Sequence, residues 1–166
     1  MKALIYRAYG SPDVLVLDDV EKPVPSANDV LIKIRAASVN PYDWHFMRGL
    51  PYAVRLIAGL RKPKVTRLGA DVAGEVQAVG GNVTQLKPGD AVFGLLSGAA
   101  QGAFAEYACA PDSAFARKPD RVTFEQAAAV PIAGLTALQG RVRRRGHVRC
   151  SDREGPRRTG DGRVQH

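Results

Sequence analysis

Residues 29–37, DVLIKIRAA, alternate apolar and polar positions. Val30, Ile32, Ile34 and Ala36 fall on one face and Lys33 and Arg35 on the other, the period of two that a half-buried strand requires. Apolar runs at residues 2–7, 14–18, 71–79, 91–95 and 104–110 read as further strands. Turn signals separate them: Gly10-Ser11-Pro12-Asp13, a proline-containing loop at 22–28, Gly80-Gly81-Asn82 and Lys87-Pro88-Gly89-Asp90. Gly74, inside the 71–79 run, predicts a bulge or a close backbone approach. Short strands at frequent turn intervals predict a barrel or a sandwich.

Helical patterns are few and short. Asn40-Pro41 reads as an N-cap followed by proline at the first helical position. The helix it opens carries Tyr42, Asp43, Trp44, His45 and Phe46 and ends near Gly49. Residues 53–60 predict a second short helix, and 61–64 a basic loop. Thr123-Phe124-Glu125-Gln126 fits a capping box opening a helix through Ala129. Residues 132–139 begin another.

Composition adds one correction. The chain has 166 residues and a net charge of +8. Nine arginines and three acidic residues lie in 141–166, a net +6, which leaves +2 for everything before it. The body is nearly neutral, so the basic character belongs to the tail. No apolar run approaches the roughly 18 residues of a membrane span. The apolar stretch within MKALIYRAYG is too short for a signal-peptide core. Cys109 and Cys150 are far apart and form no CxxC pair, which indicates neither a disulfide framework nor a zinc knuckle. A cytoplasmic protein without a membrane partner is the default expectation. Asn82-Val83-Thr84 then reads as a turn rather than a glycosylation site.

Five blocks in fixed order carry a resemblance: the 29–40 strand ending in SVNPYD, LGADVAGEVQAVG at 68–80, LKPGDAVFG at 86–94, FAEYACAP at 104–111 and KPDRVTFEQAAAVPIAGLTAL at 118–138. Together they resemble the medium-chain dehydrogenase/reductase superfamily, in its zinc-independent quinone oxidoreductase-like branch. The resemblance implies a mainly β, GroES-like, partly open barrel with a few short helices over residues 1–140. It also implies NADPH as cofactor, a following doubly wound domain to hold it, and hydride transfer to a quinone or an activated enone or carbonyl.

The zinc-dependent alcohol dehydrogenases of that superfamily place a cysteine where this chain has Asn40. They place a histidine-glutamate pair at Ala70-Asp71 and a second cysteine near Ile132-Ala133. Their lobe of four closely spaced cysteines has no counterpart here. A zinc site needs three or four convergent ligands, and none is expected. The resemblance puts Asn40 and Asp43 at the interdomain cleft as candidate catalytic residues, Asn40 donating a hydrogen bond to a substrate oxygen or the cofactor amide. It makes Asn40, His45 and Thr136 candidate cofactor contacts. Local roles compete: Asn40 as a helix cap, Asp43 as a first-turn carboxylate, Tyr42, Trp44 and His45 as an aromatic cluster, and Thr136 as a helix-interior hydroxyl bonding back to a carbonyl.

No GxGxxG turn occurs, and Gly155–Gly160 has phosphate-loop spacing without the Lys-Ser/Thr that would follow. The expectation is a chain without its cofactor domain, inactive as it stands. Residues 141–166 lack apolar periodicity and read as a disordered tail. They are either a frameshift product of a GC-rich gene or a basic arm of a non-catalytic module that binds nucleic acid or acidic partners. The abrupt change inside a family block, and the absence of aromatics for stacking bases, favour the frameshift. Self-association through an uncovered cleft face is expected with it.

Overall fold

The computed structural model describes residues 1–100 and 102–145. The expected tail is described only as far as Arg145, and its reading over 146–166 lies outside the described residues.

The strand read from alternation forms as β3, Asp29–Ser38, and lies inside a five-stranded antiparallel sheet. Its neighbours are β4 (Asp71–Val79) and β6 (Tyr107–Pro111). β5 (Ala91–Leu95) and β7 (Phe115–Arg117) extend the sheet beyond β4. β1 (Lys2–Ile5) and β2 (Val16–Asp19) pair separately, and single bridges, Ala3 to Ala105 and Ile5 to Arg67, tie them to the rest. The result is a mainly β fold whose two sheets do not join into a closed barrel.

Four helices punctuate the strands: α1 (Pro41–Arg48), α2 (Val54–Ala58), α3 (Phe124–Ala128) and α4 (Pro131–Arg145). α1 starts and stops where its caps dictate. Asn40 sits in extended backbone before Pro41, and Gly49 closes the helix in the left-handed region at φ 61°. The capping box of Thr123 and Gln126 forms reciprocally at α3. α2 is shorter than its pattern because Gly59, at φ 122°, leaves helical space. α4 passes the expected boundary at Gly140 and continues to Arg145.

The main core gathers Val30, Ile32, Val72, Val76, Leu86, Val92 and Leu96, all buried. Alternation in β3 holds only to Ile34, which packs on this core, whereas Ala36 packs with Ala73, Ala127 and Ala128 under α3. The cause is a register shift between Ile34 and Ala36, which makes Arg35 an extra residue and changes the parity of the strand. The partner at this point is Gly74, opposite Ile34. A side chain on Gly74 would strike the Lys33 carbonyl oxygen, which is the close backbone approach its position predicted. Residues 104–106 stay outside β6, and β7 is too short for a period to be read.

Replacing Gly74 by alanine forces the β3–β4 backbones apart. The expected loss is about 1–3 kcal/mol of stability, read as a lowered urea midpoint at unchanged slope.

Candidate functional site

The ends of β3 and β4 meet at a polar junction. Ser38, the last residue of β3, stands in register opposite Asp71, the first of β4. Two residues after Ser38 the chain turns into α1 at Asn40, and the first turn of α4 arrives over the same spot. Asp71 is fully buried. Its carboxylate accepts from Ser38 Oγ at 3.1 Å, from Asn40 Nδ2 at 3.2 Å and from the Ile132 backbone N–H at 3.2 Å. Ile132 is the second residue of α4, where the N–H has no partner inside the helix. Asp71 therefore caps α4 from another part of the chain, and the positive end of a 15-residue helix faces its charge.

Asp43 is the second buried carboxylate. One oxygen accepts from the Asn40 N–H at 2.9 Å and the other from the Gly69 N–H at 3.0 Å. It closes the cap of α1 and ties that helix to the loop entering β4. Burial pushes Asp43 above the ordinary aspartate range. The two backbone N–H groups oppose that rise, and the negative charge of Asp71 adds to it. Asp71 is likewise raised by burial, against the bonds from Ile132, Asn40 and Ser38.

Asn40 thus joins both acids, through its backbone to Asp43 and its side chain to Asp71. His45 is turned elsewhere: its Nδ1 lies 2.7 Å from the Leu50 carbonyl oxygen, and its ring meets Trp44 edge-on. Thr136 is exposed on α4, four residues beyond Ile132, or about 6 Å along the axis. The structure brings Asn40 and Asp43 together, seats His45 against the chain that follows α1, and places Thr136 on the open side of α4. Asp71 and Ser38 are the junction residues that sequence reasoning did not nominate. The available signal was a carboxylate at the first position of a strand-like run.

Two apolar hollows flank the junction. A cavity of about 460 Å³ lies beside Asp43 and is lined by Leu15, Val39, Trp44, Met47, Leu68 and Phe104. A groove of about 920 Å³ runs between α4 and the β5–β7 edge, past Phe93, Phe115, Val130, Leu135 and Leu138.

Residues 26–120 match the alcohol dehydrogenase GroES-like domain. The chain belongs to this family. It is 39% identical over 140 residues to a chloroplastic quinone-oxidoreductase homolog of Spinacia oleracea, covering 84% of this chain and 41% of that one. It superposes on the quinone oxidoreductase of Coxiella burnetii with a TM-score of 0.77 at 37% identity, over 86% of this chain and 44% of that one. On the Escherichia coli quinone oxidoreductase complexed with NADPH the TM-score is 0.71 at 28% identity, over 82% and 39%. These relatives are quinone oxidoreductases or homologs of them. The chain spans about two fifths of the length of the curated relatives it matches.

Within this GroES-like domain, the donors at the junction suit zinc poorly. Asn40 offers an amide, Ala70 a methyl group, and the Asp71 carboxylate is already given to three donors. Among the described residues, no three His, Cys, Asp or Glu side chains converge. No described helix is long and apolar enough to cross a membrane.

Asp43→Asn must turn an N–H2 toward one of two backbone donors, and the expected cost is about 1–3 kcal/mol. Both acids give up their protons at a higher pH in the folded chain than in the unfolded chain, where the ordinary value is 3.8. Protons bound by the folded state exceed those of the unfolded state in that window, so the stability these groups contribute falls as pH rises through their folded values. The advantage of wild type over Asp43→Asn should therefore shrink as pH rises above the ordinary value of 3.8. Urea titrations across that range test the sign, and a gap widening with pH contradicts it.

Proposed function

We propose that this domain forms the substrate side of an NADPH-dependent, zinc-independent reductase acting on a quinone or an activated enone or carbonyl. The observation that carries the reading is the junction of Asn40, Asp71 and the first turn of α4. It is a rigid polar platform beside apolar hollows, in a chain whose relatives are quinone oxidoreductases. NADPH, when bound, supplies the hydride. A proton from solvent completes the two-electron reduction, giving hydroquinone and NADP⁺ in the quinone case.

The residues of this chain do the positioning. Asn40 would meet the nicotinamide end of the cofactor through its side-chain amide, and the exposed Thr136 hydroxyl, on the open side of α4, would be the second contact. His45 holds the segment after α1 through Leu50 and would reach the cofactor only through its remaining ring edge. Asp43 has both oxygens committed to backbone N–H groups, so it acts by fixing Asn40 and α1 rather than by touching substrate. Apolar lining from Trp44, Met47 and Phe104 suits a flat, weakly polar acceptor. The 166 residues contain no glycine-rich pyrophosphate turn, so we infer that turnover depends on a cofactor domain supplied with them.

Residues 1–140 grafted in place of the matched part of the Coxiella burnetii chain should oxidise NADPH when given a benzoquinone or an enone. Asn40→Ala in that chimera should lower kcat/KM by about tenfold or more. A folded chimera that binds NADPH but reduces neither acceptor defeats the reading.

Val130, Leu135 and Leu138 are 48%, 46% and 62% exposed along the α4 groove. We expect the 166-residue chain to self-associate through this face, with a sedimentation coefficient that rises with concentration. Leu138→Glu should suppress that rise.

A further inference from the structure

The hydrogen bonds among Ser38, Asn40 and Asp71 form a closed triangle: Ser38 Oγ to Asp71 at 3.1 Å, Asn40 Nδ2 to Asp71 at 3.2 Å, and Asn40 Nδ2 to Ser38 Oγ at 3.1 Å. At pH above its raised folded range Asp71 is ionised, and an ionised carboxylate has no proton to give. Ser38 must therefore donate its hydroxyl proton to Asp71, which leaves its oxygen lone pairs facing Asn40. Asn40 must then donate twice, once to Asp71 and once to Ser38. The direction of every bond follows from the one acceptor-only member, so the orientation of the Asn40 amide is dictated rather than assumed.

We infer that Asp71 is a positioning residue that fixes the polarity of Asn40. It spends both amide protons inside the protein and leaves the carbonyl oxygen as the group Asn40 can offer a ligand. In the capping box of α1 that oxygen faces the Asp43 backbone N–H, and it keeps a second lone pair for an incoming donor. The ligand group it fits is an N–H or O–H: the carboxamide NH2 of a nicotinamide, or the hydroxyl of a reduced product. The carbonyl oxygen of an oxidised substrate does not fit. This reverses the donor role expected for Asn40 from the sequence. The same carboxylate holds the Ile132 N–H, so the seating of α4 and the polarity of Asn40 depend on one group. Ala133 to Gly140 are exposed, so this first turn is where α4 is fastened.

The ligand contact rests on the reductase reading above, whereas the polarity of the triangle does not, and the two are tested separately. In ¹⁵N-labelled full-length chain, the two Asn40 Nδ2 protons should give distinct resonances that exchange slowly. Asp71→Ala should speed both that exchange and the exchange of the Ile132 amide by roughly fivefold or more, the equilibrium equivalent of one lost hydrogen bond. Amides of the β3–β6 pair should change little. Asp71→Glu should restore part of the protection, since a purely steric role would not be rescued by a carboxylate on a longer arm. Should Asp71→Ala not fold, Ser38→Ala frees one Nδ2 proton and spares the other. Wild-type Nδ2 protons that exchange as fast as those of exposed Asn28 overturn the inference. So does an Asp71→Ala protein with unchanged Asn40 resonances. In the grafted chimera, Asp71→Asn should raise KM for NADPH more than it lowers kcat. An intact triangle with no effect on KM would overturn the ligand contact and leave the polarity standing. Failure of the unmodified chimera to oxidise NADPH would count against the reductase reading alone.

Discussion

A fully buried carboxylate with no cation among its hydrogen-bond partners is a costly thing to build into a domain of this size, and the polar junction is arranged around Asp71. Removing such a charge from water costs several kcal/mol unless donors replace the water. Here the replacement comes from three directions: a strand end, a helix cap and the first turn of another helix. The macrodipole of α4 adds roughly half a positive charge at its N-terminus. Each donor has its own reason to be there, because an N2 amide of a helix needs an acceptor in any case. The orphan donor of α4 and the orphan charge of Asp71 satisfy each other.

That arrangement requires the strands to deliver Ser38 and Asp71 to the same end of the sheet in register. The β3–β4 ladder contains two irregularities, one between Leu31 and Ile32 and one between Ile34 and Ala36. The second lies next to Gly74, where the backbones approach too closely for any side chain. A one-residue slip reverses the facing of everything beyond it. Here it turns Ala36 to the face that Ala73 already shows to α3, where Ala127 and Ala128 let that helix come close. The packing of α3 and the alignment of the polar junction therefore follow from the same bulge.

The β strands, the caps of α1 and α3, and the special position of Gly74 were legible because each depends on residues adjacent in sequence. Asn40, Pro41 and Gly49 mark α1 without help from the rest of the chain. The parity change at Arg35 was not legible, since it is a property of the strand pair rather than of either strand. β7 has three residues, too few to show a period. Asn40 and Asp43 could be nominated because they share one motif, SVNPYD. Asp71 lies 31 positions from Asn40 and 61 from Ile132, and no local pattern reports a hydrogen bond of that span. Its presence at the start of a strand was visible, but a carboxylate there reads equally well as solvent-facing punctuation.

The two buried acids also constrain each other. Asp43 feels the charge of Asp71, and Asn40 stands between them, giving its backbone N–H to one and its side-chain N–H2 to the other. An amide is well suited to that place. It supplies donors toward Asp71 and Ser38 without adding a titrating charge of its own, whereas a lysine would neutralise Asp71 and compete with the helix terminus for it. A cysteine at this position could give Asp71 only a weak S–H donor, and the triangle with Ser38 would not close. Asparagine makes this position the hydrogen-bond hub of the junction.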